Sequence, residues 1–154
     1  MKKILVAVDD TKGSIKTVEG LLSLLETHEP SHIILLYVQK IEGRSLMDDL
    51  LLSDSEMKTL KESLEGTEFK EELDNKARKI IAYFTSLMTE KGLPPTRSLV
   101  REGHPAEEIL NAAKEEEVDL IAIGSRSSRL HNLFMGSVSR EVANNSPVPV
   151  LLIK

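Results

Sequence analysis

The chain has 154 residues, 40% of them hydrophobic and 29% charged, the balance of an ordinary globular protein with enough residues for one core. A net charge of −5, with 3% aromatic residues and no tryptophan, argues against nucleic acid or an anionic membrane as the main partner. There is no cysteine, which excludes disulfides, thiolate metal sites and a cysteine nucleophile, and fits a reducing, cytoplasmic setting.

Lys2 and Lys3 precede a run of five apolar residues, 4–8. Such a run reads as a strand buried on both faces, as in a parallel sheet. It stops at Asp9, too short for the core of a signal peptide. A turn cluster, 9–14, follows, with Ser14 placed to cap the next helix. Val18, Leu21, Leu22 and Leu25 give that helix one apolar face, and Pro30 sets its limit. Residues 33–38 read as a second buried strand. Residues 40–67 mix clustered leucines with exposed acids and read as an insertion in a single domain spanning 1–154. Within it Ser53 and Glu56 fit a capping box for a short helix.

From Glu68 a long helix is expected to about Lys91, with Phe69, Leu73, Ala77, Ile80, Ile81, Phe84, Leu87 and Met88 on its buried stripe. Gly92 and then Pro94-Pro95 end it. Residues 96–101 form a more polar third strand, suited to a sheet edge. Pro105, Glu107 and Glu108 open another helix, with Ile109, Ala112 and Ala113 as its narrow apolar face. Residues 120–123 make a fourth strand, and 148–153 a fifth. Strands and helices alternate throughout, which predicts a doubly wound α/β fold on a parallel sheet.

The stretch 124–139 joins the fourth strand to the last helix. It carries Gly124 at the strand end and Gly136-Ser137 where the helix opens. Two readings fit these residues. One is a phosphate cradle, in which glycine allows close backbone approach, the helix N-terminus attracts an anion, and Ser137 and Ser139 donate. The other is a serine-rich turn with an ordinary N-cap. Arg126, Arg129 and His131 add positive charge to the loop, either toward phosphates or toward solvent.

The stretch resembles the nucleotide loop of the universal stress proteins, written Gly-x2-Gly-x9-Gly-Ser/Thr. Gly124 and Gly136-Ser137 match it; Ser127 replaces the second glycine, and the spacer after it is one residue shorter. Residues 4–9, 103–109 and 147–151 also resemble family signatures, so the likeness runs over nearly the whole chain. It implies a five-stranded sheet in the order 3-2-1-4-5, the adenine-nucleotide alpha-hydrolase-like arrangement, and a stress-response protein. Ligands of such sheets sit beyond the carboxyl ends of the strands where the order reverses, here between strands one and four. Asp9 and Gly124 are therefore expected to face one cleft.

By resemblance, Asp9 takes ribose hydroxyls, the Val38 backbone meets adenine, and Gly124, Ser127, Gly136, Ser137, Val138 and Ser139 surround the phosphates. Ala7 stands where many nucleotide-binding members carry proline. The residues also allow Asp9 to be a turn residue capping the next helix, although Asp10, Thr11 and Ser14 could do that capping, and Val38 to be a core valine. The implied ligand is ATP or AMP, with Mg²⁺ accompanying ATP, bound without efficient turnover. No P-loop, dinucleotide fingerprint or nucleophile elbow occurs.

Two rivals use the same architecture. Asp9-Asp10 resembles the acidic pair of phospho-receiver domains, but the strand ends after 39, 101 and 123 lack the required further aspartate. A dimeric signalling or scaffold protein without a nucleotide is the other. The final strand, with Pro147 and Pro149 at its start, reads as a sheet edge. Its apolar residues are an open template for a homodimer through 148–153, a contact the resemblance also implies. Leu151→Pro is the change expected to disrupt it.

Overall fold

The apolar runs at 4–8 and 33–38 become neighbouring strands at the centre of one sheet. The computed structural model describes residues 3–27, 29–40, 55, 59, 68–125 and 135–154. Its strands are β1 (Lys3–Val8), β2 (His32–Gln39), β3 (Arg97–Glu102), β4 (Leu120–Gly124) and β5 (Val150–Ile153). All pair in parallel, in the order β3-β2-β1-β4-β5. β1 is central because it alternates nothing: Ile4, Leu5 and Val6 are all fully buried. Each such side chain contributes about 1.5–3 kcal/mol by leaving water. Ile4, Val6 and Val8 point to one face and Leu5 and Ala7 to the other, each joining a separate core. The polar β3 lies at one edge, as expected from its composition.

The helices are α1 (Lys12–Leu25), α2 (Glu68–Glu90), α3 (Pro105–Glu115) and α4 (Ser137–Asn145). α1 and α2 cover one face, through Val18, Leu21, Leu22, Leu25, Phe84 and Met88. α3 and α4 cover the other, through Ala106, Ile109, Ala112, Ala113 and Val142. The small residues of α3 let it lie close to the sheet. α2 ends at Gly92, whose φ of +84° suits glycine, and the Leu93 N–H closes the turn on the Met88 carbonyl at 3.0 Å. Among the described residues no helix is long and apolar enough to cross a membrane.

Of three local expectations, two meet a different outcome and one lies outside the described residues. α1 starts at Lys12 with Thr11 at the N-cap, and among the described residues no side-chain bond caps it. Ser14 lies inside the first turn instead, and its hydroxyl is exchanged with Asp9. The expected insertion at 40–67 falls outside the described residues except for Lys40, Ser55 and Thr59, as does its capping box.

The third concerns β5, which is indeed an edge strand. The Pro149 carbonyl accepts from the Ile121 N–H at 3.0 Å, and the Ile153 carbonyl from the Ser125 N–H at 2.9 Å. Main-chain groups alternate sides along a strand. Residues 149, 151 and 153 therefore face β4, and Val150 and Leu152 turn theirs to the open edge. Leu151→Pro would break the protein's own sheet, so the informative position is Leu152.

Candidate functional site

Strand order reverses between β1 and β4. Beyond the carboxyl ends of these strands lies a cavity of about 210 Å³. Its apolar wall includes Ala7, Leu36, Val38, Ile109 and Ile123, and its polar rim includes Asp9, Thr11, Ser14, Ser137 and Ser139. Gly124, Gly136 and Val138 line it too. The residues singled out in the sequence thus meet at one place, apart from Ser127, which with Arg126, Arg129 and His131 lies outside the described residues.

The β1–α1 turn is held by Asp9. Its Oδ1 accepts from the Thr11 N–H at 2.8 Å, the Thr11 hydroxyl at 2.5 Å and the Ser14 hydroxyl at 2.7 Å. The Asp9 N–H donates in turn to Ser14 Oγ at 2.7 Å. The turn role read for Asp9 is therefore real. It occupies one carboxylate oxygen and leaves Oδ2 to other donors among the described residues.

Across the cavity stands the N-terminus of α4. Gly136 is its N-cap, and among the described residues no side-chain cap bond satisfies the first N–H groups. The Gly136 N–H itself donates to the Ser125 carbonyl at 2.8 Å, which fixes the angle at which α4 leaves β4. Ser139 is 2% exposed, and its hydroxyl bonds the Gly136 carbonyl at 3.0 Å and the Ser125 carbonyl at 3.2 Å. Its hydrogen stitches the loop ends together instead of reaching into the cavity. Ser137 is exposed and makes no such bond among the described residues. The anion-attracting part is thus the backbone of the first turn, with Ser137 beside it.

Gly124 has a packing reason to be glycine beside the one its loop suggested. A Cβ there would stand 2.6 Å from Thr17 Oγ1, inside α1 packing. Thr17 is 1% exposed, and its hydroxyl donates to the Gly13 carbonyl at 2.9 Å. The missing side chain lets α1 seat on the end of β4, which brings Gly13 and Ser14 to the cavity.

Sequence reading missed Lys40, Pro105 and Ile109 at this cavity. Lys40 had a signal, since it lies two residues past Val38 and strand side chains repeat every two. Pro105 and Ile109 had none, because α3 reaches the cavity only through its packing on β2. Next to Asp9, Asp10 Oδ2 pairs with Lys76 Nζ of α2 at 2.8 Å. That hydrogen bond holds the Asp10 carboxyl below the usual carboxylate range, with a smaller contribution from the Lys40 charge. Among the described residues no group of His, Asp and Glu is placed to hold a metal.

The arrangement suits a ligand with a flat apolar part, hydroxyls and an anionic end. The universal stress protein family model matches residues 1–154. A curated relative, the universal stress protein YxiE of Bacillus subtilis, is 31% identical over 99% of this chain and 98% of its own length. Among solved structures, that of MJ0577 superposes with a TM-score of 0.73 at 24% identity, covering 99% of this chain and 95% of the other. A universal stress protein family member from Arabidopsis thaliana, solved with AMP bound, gives a TM-score of 0.66 at 19% identity, covering 100% and 92%. At these identities the two structures establish a shared fold, the adenine-nucleotide alpha-hydrolase-like one.

Proposed function

This chain belongs to the universal stress protein family, and from that premise we propose that its cleft binds an adenine nucleotide, ATP or AMP, without efficient turnover. The observation that carries the reading is the uncapped N-terminus of α4 facing the Asp9 turn across one cavity at the switch point. AMP bound to the Arabidopsis relative supports it. Adenine lies against Ala7 and Val38, with the Val38 backbone on its polar edge. Asp9 Oδ2 takes the ribose hydroxyls. The backbone from Gly136 to Ser139 takes the phosphates, with Gly124 and Ser127 flanking them and Mg²⁺ accompanying ATP. The sequence places no lysine after the glycine loop as in P-loop enzymes and no general base near a terminal phosphate.

The protein works in the cytoplasm as a homodimer joined through residues 148–153. The edge of β5, apolar and followed by Lys154, supports that assembly. Antiparallel pairing about a two-fold axis satisfies both edges at once.

Calorimetry with AMP, and with ATP and Mg²⁺, tests the ligand. Binding in the micromolar to millimolar range is expected, and it should be lost in Gly136→Val, whose side chain blocks backbone approach. The absence of heat and of thermal shift at millimolar nucleotide would refute the reading. The departure at Ser127 would then favour a scaffold dimer that takes no nucleotide. Turnover on the order of 1 per second or faster would refute the non-enzymatic part.

A further inference from the structure

The first turns of α2 are tied to the carboxyl ends of three strands, at the same end of the sheet as the cavity. Lys76 Nζ meets Asp10 Oδ2 at 2.8 Å, and Asp10 directly follows the cavity residue Asp9. Gln39 lies between the cavity residues Val38 and Lys40 and is 2% exposed. Its Nε2 donates to the Leu73 carbonyl at 3.0 Å and to Asp74 Oδ1 at 3.4 Å. Lys70 pairs with Glu102 at the end of β3, and the Gly103 N–H beside it donates to the Gln39 carbonyl at 3.1 Å. Two turns of one helix thus reach strand ends at the cavity's end of the sheet.

These contacts differ in kind. Gln39 is the anchor, because a buried amide without a partner is costly. The Lys76–Asp10 pair is exposed, with side chains 45% and 52% accessible, so it adds little to stability. Its effect is on charge. Asp10 directly follows the cavity residue Asp9 in the chain, and Lys76 offsets its charge. Among the described residues, Lys40 is the basic residue that lines the cavity.

We propose that Lys76 is a positioning residue for the cleft, acting through Asp10, and that through it and Gln39 the cleft and the first turns of α2 are coupled. An anionic nucleotide binds more tightly when α2 is docked, and α2 is held more firmly when the nucleotide is bound. The two effects are one free energy seen from each site. The coupling rests on the nucleotide reading above and gives it an output. Occupancy of the cleft changes the mobility of that helix.

The test compares wild type, Lys76→Met, Lys76→Arg and Asp10→Asn/Lys76→Met by calorimetry with ATP, AMP and adenosine, at low and high salt. Removing a screened unit charge near the mouth should weaken ATP about five-fold and AMP about two-fold, and leave uncharged adenosine unchanged. The penalty should shrink at high salt. Lys76→Arg should restore affinity, and the double variant should bind ATP as wild type does. In hydrogen exchange, ATP should slow residues 70–80 in wild type and not in Lys76→Met. If wild type binds while Lys76→Met weakens all three ligands equally, or none, the coupling is wrong and the nucleotide reading stands. If wild type binds none of the three, the nucleotide reading fails and the coupling falls with it.

Discussion

Gly124→Ala is a small change with a large expected effect. The new Cβ would lie 2.6 Å from Thr17 Oγ1, closer than real Cβ contacts come. Thr17 is buried and its hydroxyl is bonded to the Gly13 carbonyl, so it cannot swing aside freely. Overpacking of this kind costs about 1–3 kcal/mol. If Thr17 rotates to relieve it, the lost hydrogen bond adds about 0.5–1.5 kcal/mol. A total near 2–3 kcal/mol lowers the melting temperature of a chain this size by roughly 4–10 °C. Thr17→Ala opens the space, so the double variant should recover about 1–2 kcal/mol relative to the sum of the singles. Thermal and urea unfolding of the four proteins measures the cycle. Because the same contact seats Gly13 and Ser14 at the cavity, nucleotide affinity should fall with stability in Gly124→Ala and recover with it in the double variant. A Gly124→Ala protein that melts within 1 °C of wild type, or an additive cycle, would show that helix packing is not what requires glycine there.

Three further outcomes follow from the same geometry. Leu152→Pro removes an N–H at the open edge of β5 and none from its pairing with β4; light scattering should show monomer mass with helix content unchanged, and a surviving dimer would move the interface elsewhere. Asp10 has a depressed native pKa, so its pairing with Lys76 stabilises above the unfolded value of about 3.9 and is lost as the pH falls through the lower native value. After allowance for exposure this amounts to under about 1 kcal/mol, so the gap between wild type and Asp10→Asn melting curves should be a few degrees at pH 6 and close in acid; a gap that persists at pH 2 would contradict the pairing. Gly92→Ala forces a side chain into the left-handed region and should cost about 1–2 kcal/mol in unfolding experiments. α2 ends there on the side away from the cleft, so nucleotide affinity should not change.

Much of the fold was legible because it depends on local periodicity. The unbroken apolar run of β1 has no polar face to expose, so it can only be a central strand. The four-residue repeat of Val18, Leu21, Leu22 and Leu25 allows one buried face, and Pro147 and Pro149 mark an edge because they lack donors. The family likeness then supplied the strand order, which periodicity cannot. That order brought Asp9 and Gly124, 115 positions apart, to one switch point.

Other features depend on which atoms meet across the fold, and no spacing encodes that. A serine three residues into a helix looks like a cap, yet Ser14 faces Asp9 because the β1–α1 turn folds back on itself. Ser139 looks like a donor to a ligand, yet the Ser125 and Gly136 carbonyls lie nearer. Alternation along β5 was visible, but only the bonds to β4 decide that Leu151 faces inward and Leu152 outward. Thr17 against Gly124, Gln39 against Leu73 and Lys76 against Asp10 join residues from separate elements. Side-chain hydrogen bonds act over about 3 Å, and only the packed chain brings those pairs within that range.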